Sequence, residues 1–346
     1  MGSDPLRISA IVAARNATAT LPRCLDTLVG QASDDVEVIV VDDFSTDDSR
    51  SVVARYPVRL IALADHAGVA AARNRGAEAA RGEVLFFLDA DVVLAPGGID
   101  RVRDTMATHP EIGAMIGSYD AAPDDQSLVS RFKNLAHHHF HQRGRTEAST
   151  FWGACGAIRR EVFFAAGGFD EKRFKLPSIE DVELGSRLVD RGVRIMLDPE
   201  LQVKHLKKWT LASLVITDVT RRAIPWTLLW MERRQLHSDL NFSWDQRLAA
   251  LVSAAMLLAL MLSVINPSAL MLLAGMMLAA ALLNRDLFRL LYEQGGPRLA
   301  VAGFFLQQLY YLYSLVGLTV GIAIYFVQPS STGTVPSHKT GEDIGG

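Results

Sequence analysis

The sequence predicts an α/β sandwich built on parallel strands, followed by a membrane-inserted C-terminal part. Three observations carry this. Within residues 1–245, short apolar runs alternate with helix-like stretches, an order that requires crossovers and hence parallel strands. The apolar runs are continuous rather than alternating, as in strands covered on both faces. Beyond residue 245 the composition changes, and Leu248 to Val264, Ser268 to Leu283 and Leu299 to Val327 carry no charge.

The elements follow in order. "RISAIVAAR" (7–15) reads as the first strand, and the amphipathic stretch from Ala19 to Gln31 as its helix. "VEVIVVDD" (36–43) is the second strand, with a helix capped near Ser45 or Thr46. "VRLIALA" (58–64) is the third. The Ala-rich helix "GVAAARNRGAEAARG" (68–82) follows it and is closed by Gly82. "EVLFFLDAD" (83–91) is the fourth strand.

Charge and cysteine content narrow the function. Lys and Arg total 35 against 38 Asp and Glu, a net charge of −3, so no basic excess points to nucleic acid. Cys24 and Cys155 are far apart, lack metal-ligand spacing and read as free thiols in a reducing compartment. Residues 1–7 (MGSDPLR) are polar, and no secretory leader is expected.

A spanning helix needs roughly 20 apolar residues. The 299–327 run exceeds that. The 248–264 and 268–283 runs, separated by Asn266-Pro267, are each slightly short and make a tight transmembrane hairpin or a re-entrant one. Arg233, Arg234 and Arg247 precede the first run, and Arg285, Arg289 and Arg298 lie between the second and third. The tail has only Lys339. Basic residues mark the cytoplasmic side, which places the soluble part and the 284–298 loop in the cytoplasm and the tail outside. The expected organisation is a catalytic domain at 1–206, an amphipathic interfacial segment at 207–245, a membrane region at 246–327 and a disordered Ser/Gly/Pro/Thr-rich tail at 328–346. In the interfacial segment, Arg221 and Arg222 accompany Trp226 and Trp230 at i and i+4, a pattern suited to the headgroup level. Pro225 is expected to break or kink that helix.

Ligands of such sheets bind outside the carboxyl ends of the strands. Arg15 and Asn16 end the first strand, Asp42 and Asp43 the second, and Asp89 and Asp91 the fourth. Helix capping accounts for one of these acids but less easily for the whole rim. The first turn, "AARNATAT", has no glycine, which rejects a dinucleotide site. "LDADVV" also fits an aspartyl-nucleophile phosphotransferase locally, but such enzymes place the motif on their first strand. A third reading is a metal-bound nucleotide diphosphate, for which Asp-x-Asp supplies hard oxygen ligands to Mg²⁺ or Mn²⁺.

Five segments, in order, carry a resemblance: "SAIVAARN", "EVIVVDDFSTDDS", "GVAAARNRGAEAARGEVLFFLDADVVLAPG", "FWGACGAIRREVFFAAGGFDE" and "IEDVELGSRLVDRG". Together, over roughly residues 7–205, the chain resembles a membrane-anchored family 2 glycosyltransferase of the GT-A fold, which implies a mixed, mostly parallel sheet. The resemblance places Ala13, Arg15, Asp42, Asp43, Arg73 and Asp89 on the nucleotide-sugar donor and Asp91 on the metal. It makes Asp181 the general base that takes the proton of an acceptor hydroxyl, a single displacement that inverts the anomeric centre. His205 is a further metal ligand or a structural or phosphate-contacting histidine. Gly153, Ala154, Cys155, Gly156 and Glu180 fall on the acceptor side. For Glu183, a helix-dipole role suffices. The "HHHFH" run (His137 to His141) is assigned no metal.

The implied activity is hexosyl transfer from a nucleotide sugar, UDP-linked by family frequency, to a hydroxyl of a lipid or lipid-linked saccharide at the membrane. Alternatives are a polyprenyl-phosphate glycosyltransferase, a non-catalytic membrane scaffold and a processive polysaccharide synthase. "TRRAIPW" lacks the Gln of the Gln-x-x-Arg-Trp motif of processive synthases. About three helices are also few for a polysaccharide channel unless several chains associate.

Overall fold

A computed structural model describes residues 5–233 and 244–327. Strand and helix alternate through β1 (Ile8–Ala14), α1 (Leu21–Val29), β2 (Val36–Asp42), α2 (Ser49–Val53), β3 (Arg59–Ala62), α3 (Val69–Ala79) and β4 (Val84–Asp89). Next come β5 (Val92–Leu94), α4 (Gly98–Thr108), β6 (Ile112–Tyr119), α5 (Leu128–Gln142), β7 (Glu147–Ala148) and β8 (Cys155–Arg159). The sheet is completed by α6 (Arg160–Ala165), α7 (Glu180–Asp190) and β9 (Arg194–His205). Its spatial order is β3-β2-β1-β4-β8-β6-β9-β5, with β7 on β9. β1 to β4, β6 and β9 run one way and β5, β7 and β8 the other, so the sheet is mixed and mostly parallel.

β1 sits between β2 and β4, and its register aligns their ends: Ala14 faces Asp42, and Ala13 faces Asp89. The polar residues that end these strands are therefore level at one edge. Both faces of the sheet are covered, which explains the continuous apolar runs. In β4, Phe86 and Leu88 join α1 and α4 on one side, while Leu85 and Phe87 join α3 and α7 on the other. α3 lies close to the sheet because Gly76 has no side chain; a Cβ there would fall 2.4 Å from Ile11 Cγ2. The surrounding alanines serve the same close approach.

The helix expected from Ser45 or Thr46 begins later, at Ser49, with Asp48 at its N-cap. Ser45 and Thr46 are engaged elsewhere. Asn16 N donates to the Ser45 hydroxyl at 2.9 Å, and Thr46 N donates to Asn16 Oδ1 at 2.8 Å. These bonds tie the ends of β1 and β2 together and outcompete an early helical turn.

After β9 come α8 (Leu211–Thr217), a π-helical turn (Asp218–Ala223) and α9 (Ile224–Arg233). A Thr210–Ser213 capping box starts α8. The helical path does not break at Pro225; it continues into α9. Proline lacks an N–H and its ring crowds the carbonyl four residues back. The wider π turn immediately before it relieves both demands.

The C-terminal helices are α10 (Trp244–Ser263), α11 (Ala269–Leu283) and α12 (Arg285–Val327). α10 and α12 are long and apolar enough to cross a membrane, whereas α11 has 15 residues. α12 bends at Gly296 (φ 68°), just before Pro297. Around the bend it packs on α5, where Leu287, Leu291 and Leu299 meet Phe132 and Leu135. Its second part receives the π turn and α9: a Cβ on Gly317 would lie 2.5 Å from Ala223 Cβ, and one on Gly321 2.7 Å from Thr227 Cβ. Arg234 and the 328–346 tail lie outside the described residues.

The aromatic centre of the core gives a stability prediction. Phe87 is fully buried against Phe151, Phe163 and Phe169. Phe87→Ala is expected to cost about 3–5 kcal/mol, read by denaturant unfolding of the purified protein.

Candidate active site

A cleft of about 750 Å³ opens at the carboxyl edge of the sheet. Its floor carries Asp89, Asp91, Glu180 and Asp181, and the 205–222 stretch contributes His205, Lys207, Lys208, Arg221 and Arg222. Ala13, Arg15, Asp43, Arg73 and Ala154 also line it.

Arg73 organises the floor. It projects from α3, is 3% exposed, and donates to Asp89 Oδ1 at 2.7 Å and to Glu180 Oε1 at 2.9 Å. Gly153 makes room for it, since a Cβ there would lie 2.6 Å from the guanidinium carbon. Arg73 was expected on the donor, but two of its nitrogens are held by protein carboxylates. Glu180, expected on the acceptor side, is likewise occupied. Its second oxygen accepts from Ser178 N at 2.8 Å.

Asp42 does not line the cleft. Its buried carboxylate accepts from Arg50 Nε at 2.5 Å and from Ser45 N at 3.2 Å, which turns it toward α2. Asp43 does line the cleft, but it also fastens the turn into α3. It accepts from Ala67 N at 2.7 Å and Gly68 N at 3.0 Å, and its Oδ2 lies 2.8 Å from His66 Nδ1. Gly68 has φ 95°, and a Cβ there would strike the Lys175 carbonyl at 2.4 Å, so this turn requires glycine. Arg15 stands at the rim with Nη1 3.2 Å from His66 Nε2.

Asp181 opens α7, where Gly153 N donates to it at 3.0 Å and Val182 N at 2.8 Å. Burial and the neighbouring Glu180 push its pKa up to about 6, against the opposing pull of Arg73 and those two amides. A carboxyl so tuned is ionised at neutral pH and basic enough to accept a proton.

Asp91 Oδ2 lies 3.5 Å from His205 Nε2. Burial would raise the Asp91 carboxyl, but His205 and Lys207 hold it below the usual range. A carboxylate and an imidazole facing a phosphate-sized cleft fit a divalent ion whose remaining positions go to phosphate oxygens. Among the described residues, no group of three or more His, Cys, Asp or Glu forms a self-sufficient metal cage.

Other expectations shift. Cys155 and Gly156 are buried in β8 rather than on the cleft, because β8 is paired on both sides. Arg221 and Arg222, expected at the membrane interface, line the cleft because the π turn faces it. Trp226 packs with Phe174, Ile179 and Leu229, and Trp230 is half-buried. Glu183 is more than a helix-dipole acid: it is buried and pairs with Arg187 and Arg233. The histidine run anchors α5 to β6. His138 Nδ1 meets Tyr119 O at 2.7 Å, His141 Nδ1 meets Gly117 O at 2.8 Å, and His137 stacks on His141 and lies tilted against Tyr119. Tyr119 in turn stacks on His205 at 4.7 Å. Tyr119, Trp152, Lys207 and Lys208 line the cleft, and sequence reasoning assigned them no role. The Lys pair was visible two and three residues after His205.

The family model "Glycosyl transferase family 2" matches residues 9–164. N-acetylglucosaminyl-diphospho-decaprenol L-rhamnosyltransferase of Mycobacterium tuberculosis is 30% identical over 223 residues, 54% of this chain and 72% of that one. The succinoglycan biosynthesis protein ExoO of Rhizobium meliloti is 39% identical over 126 residues, 36% of this chain and 34% of that one. The chain thus belongs to glycosyltransferase family 2. It spans about a third to a half of the length of the first curated relatives it matches. In structure it is similar to the mannosyltransferase PcManGT of Pyrobaculum calidifontis in complex with GDP-Man and Mn²⁺. That likeness has a TM-score of 0.57 at 21% identity and covers 91% of this chain and 87% of that one, which shows the GT-A-like fold.

The buried bridge predicts a stability effect at the site. Arg73→Met leaves Glu180 buried without its cation and is expected to cost about 3 kcal/mol or more, measured by thermal unfolding.

Proposed function

We propose that this chain is a transferase that moves a sugar from a nucleotide-sugar donor to a hydroxyl of a membrane-associated acceptor, with inversion. One observation carries the reading: a single cleft joins a proton-accepting carboxyl, Asp181, to the Asp91–His205 pair and to a wall of four cations. The chemistry then follows from position. Lys207, Lys208, Arg221 and Arg222 attract and orient phosphates. Asp181 takes the acceptor proton as that oxygen attacks the anomeric carbon, and the bond to the diphosphate oxygen breaks on the opposite face. Mg²⁺ or Mn²⁺ held by Asp91 and His205 would offset charge on the leaving diphosphate. Arg73 holds Asp89 and Glu180 in place beside these groups.

The acceptor is read as a lipid or lipid-linked saccharide. The basic wall lies on the stretch leading to α10, and α10 and α12 have the length and apolarity of membrane spans. A relative named for transfer to a decaprenol diphosphate sugar supports this. We read the catalytic domain as cytoplasmic and the donor as UDP-linked; the GDP-Man of the structural neighbour makes a GDP-sugar the alternative.

The test is a screen of UDP- and GDP-sugars with Mn²⁺ against membrane lipids, read by mass spectrometry. A single added sugar is expected, and long products would establish a polymerase instead. Asp91→Ala and Asp181→Asn are each expected to lower transfer about 10³-fold, the scale of losing one acid–base or electrostatic group. Full turnover in both would refute the site. The pH profile carries a further expectation. Because the Asp181 pKa is raised to about 6, the rate should be flat near neutrality and fall about tenfold per unit as protonation removes the base below that value.

A further inference from the structure

Behind the cation wall lies a second polar cluster that the reaction described above does not use. Asp218, in the π turn, is 3% exposed, and both of its oxygens are fully engaged. Lys133 Nζ on α5 reaches them at 2.9 and 2.8 Å. Arg222 Nη1 donates to Oδ1 at 2.8 Å, and the Tyr313 hydroxyl on α12 donates to Oδ2 at 2.7 Å.

We propose that Asp218 and Tyr313 are positioning residues that set Arg222 in the cleft, making α12 a structural part of the phosphate-binding wall. Two independent features support this. First, Lys133 and Arg222 share the single carboxylate of Asp218, so the cluster keeps one net positive charge beside the cleft that Arg222 lines. Second, the turn is fixed against α12 at closest approach, with Ala223 and Thr227 seated on Gly317 and Gly321. A π turn adds a residue to the helical circuit and changes which side chains face a given direction. Here, Asp218 points back to α5 and α12 while Arg221 and Arg222 reach the cleft. Burial pushes the Lys133 amine down to about 8, with Asp218 pulling the other way, so the cluster is a tightly packed ionic contact rather than a solvated one.

The inference rests on the proposed phosphate-binding reading of the cleft, and the experiment separates the two. The probe is inorganic pyrophosphate with Mn²⁺, titrated calorimetrically into the full chain in lipid nanodiscs. Tyr313→Phe, which removes one hydroxyl, is expected to weaken binding about threefold, and Asp218→Asn about tenfold. The Lys133→Met/Asp218→Asn double variant removes both buried charges and should recover the thermal stability lost by Asp218→Asn alone, because buried pairs are replaceable as a unit. Its pyrophosphate affinity should stay weak, since Arg222 still lacks its anchor. Wild-type affinity in the two single variants, or recovery of affinity together with stability in the double variant, overturns the positioning role. Absence of pyrophosphate binding by the wild type overturns the phosphate reading of the cleft itself.

Discussion

The site is assembled around one guanidinium. Arg73 is buried between Asp89, at the end of β4, and Glu180, at the start of α7 and 107 residues further along the chain than Arg73 itself. Burying one charge is costly, and burying it between two opposite charges with good geometry is tolerable. That requirement propagates outward. α3 must approach the sheet closely enough for the side chain to reach, hence the alanines and Gly76 on Ile11. The turn before β8 must leave space, hence Gly153. The turn into α3 must be held at its start, which is the work of Asp43 on the amides of Ala67 and Gly68.

Hydrogen-bond satisfaction sorts the acids at the carboxyl edge. Asp42, Asp89 and Glu180 are committed to protein cations, and Asp43 to backbone amides and His66. Asp91 and Asp181 are left facing the cleft with weaker or fewer partners, one beside His205 and one on two amides. The division explains how so many carboxylates share one edge. Most are neutralised in place, and the remaining negative potential is local. The cations of the 207–222 stretch line the same cleft, so it carries both signs rather than one throughout.

Much of this was legible in the chain. Covered strands announce themselves by unbroken apolar runs, and the end of a strand is where an acid such as Asp89 or Asp91 becomes affordable. The segment order identified the fold because each piece is tied to a strand end. What could not be read was side-chain direction. Asp42 and Asp43 are adjacent and chemically alike, yet one faces α2 and the other the cleft, a choice made by Arg50 and by the Gly68 turn. Arg221 and Arg222 beside tryptophans match a membrane-surface pattern. Their actual place depends on a π turn and on a helix nearly a hundred residues later, neither of which local periodicity encodes. The histidine run was uninformative for a similar reason: its partners are carbonyls and rings on β6 and in the loop before β8.

The contact between Asp218 and Tyr313 spans 95 residues, and its second half lies on a helix synthesised after the whole of the sheet. A nascent chain can complete the sheet, bury Arg73 and form the acidic floor while α12 is still unmade. The basic wall is finished only when that helix has emerged and settled against the π turn. Completion of the wall is thereby ordered after completion of the sheet, because α12 follows every strand in the chain.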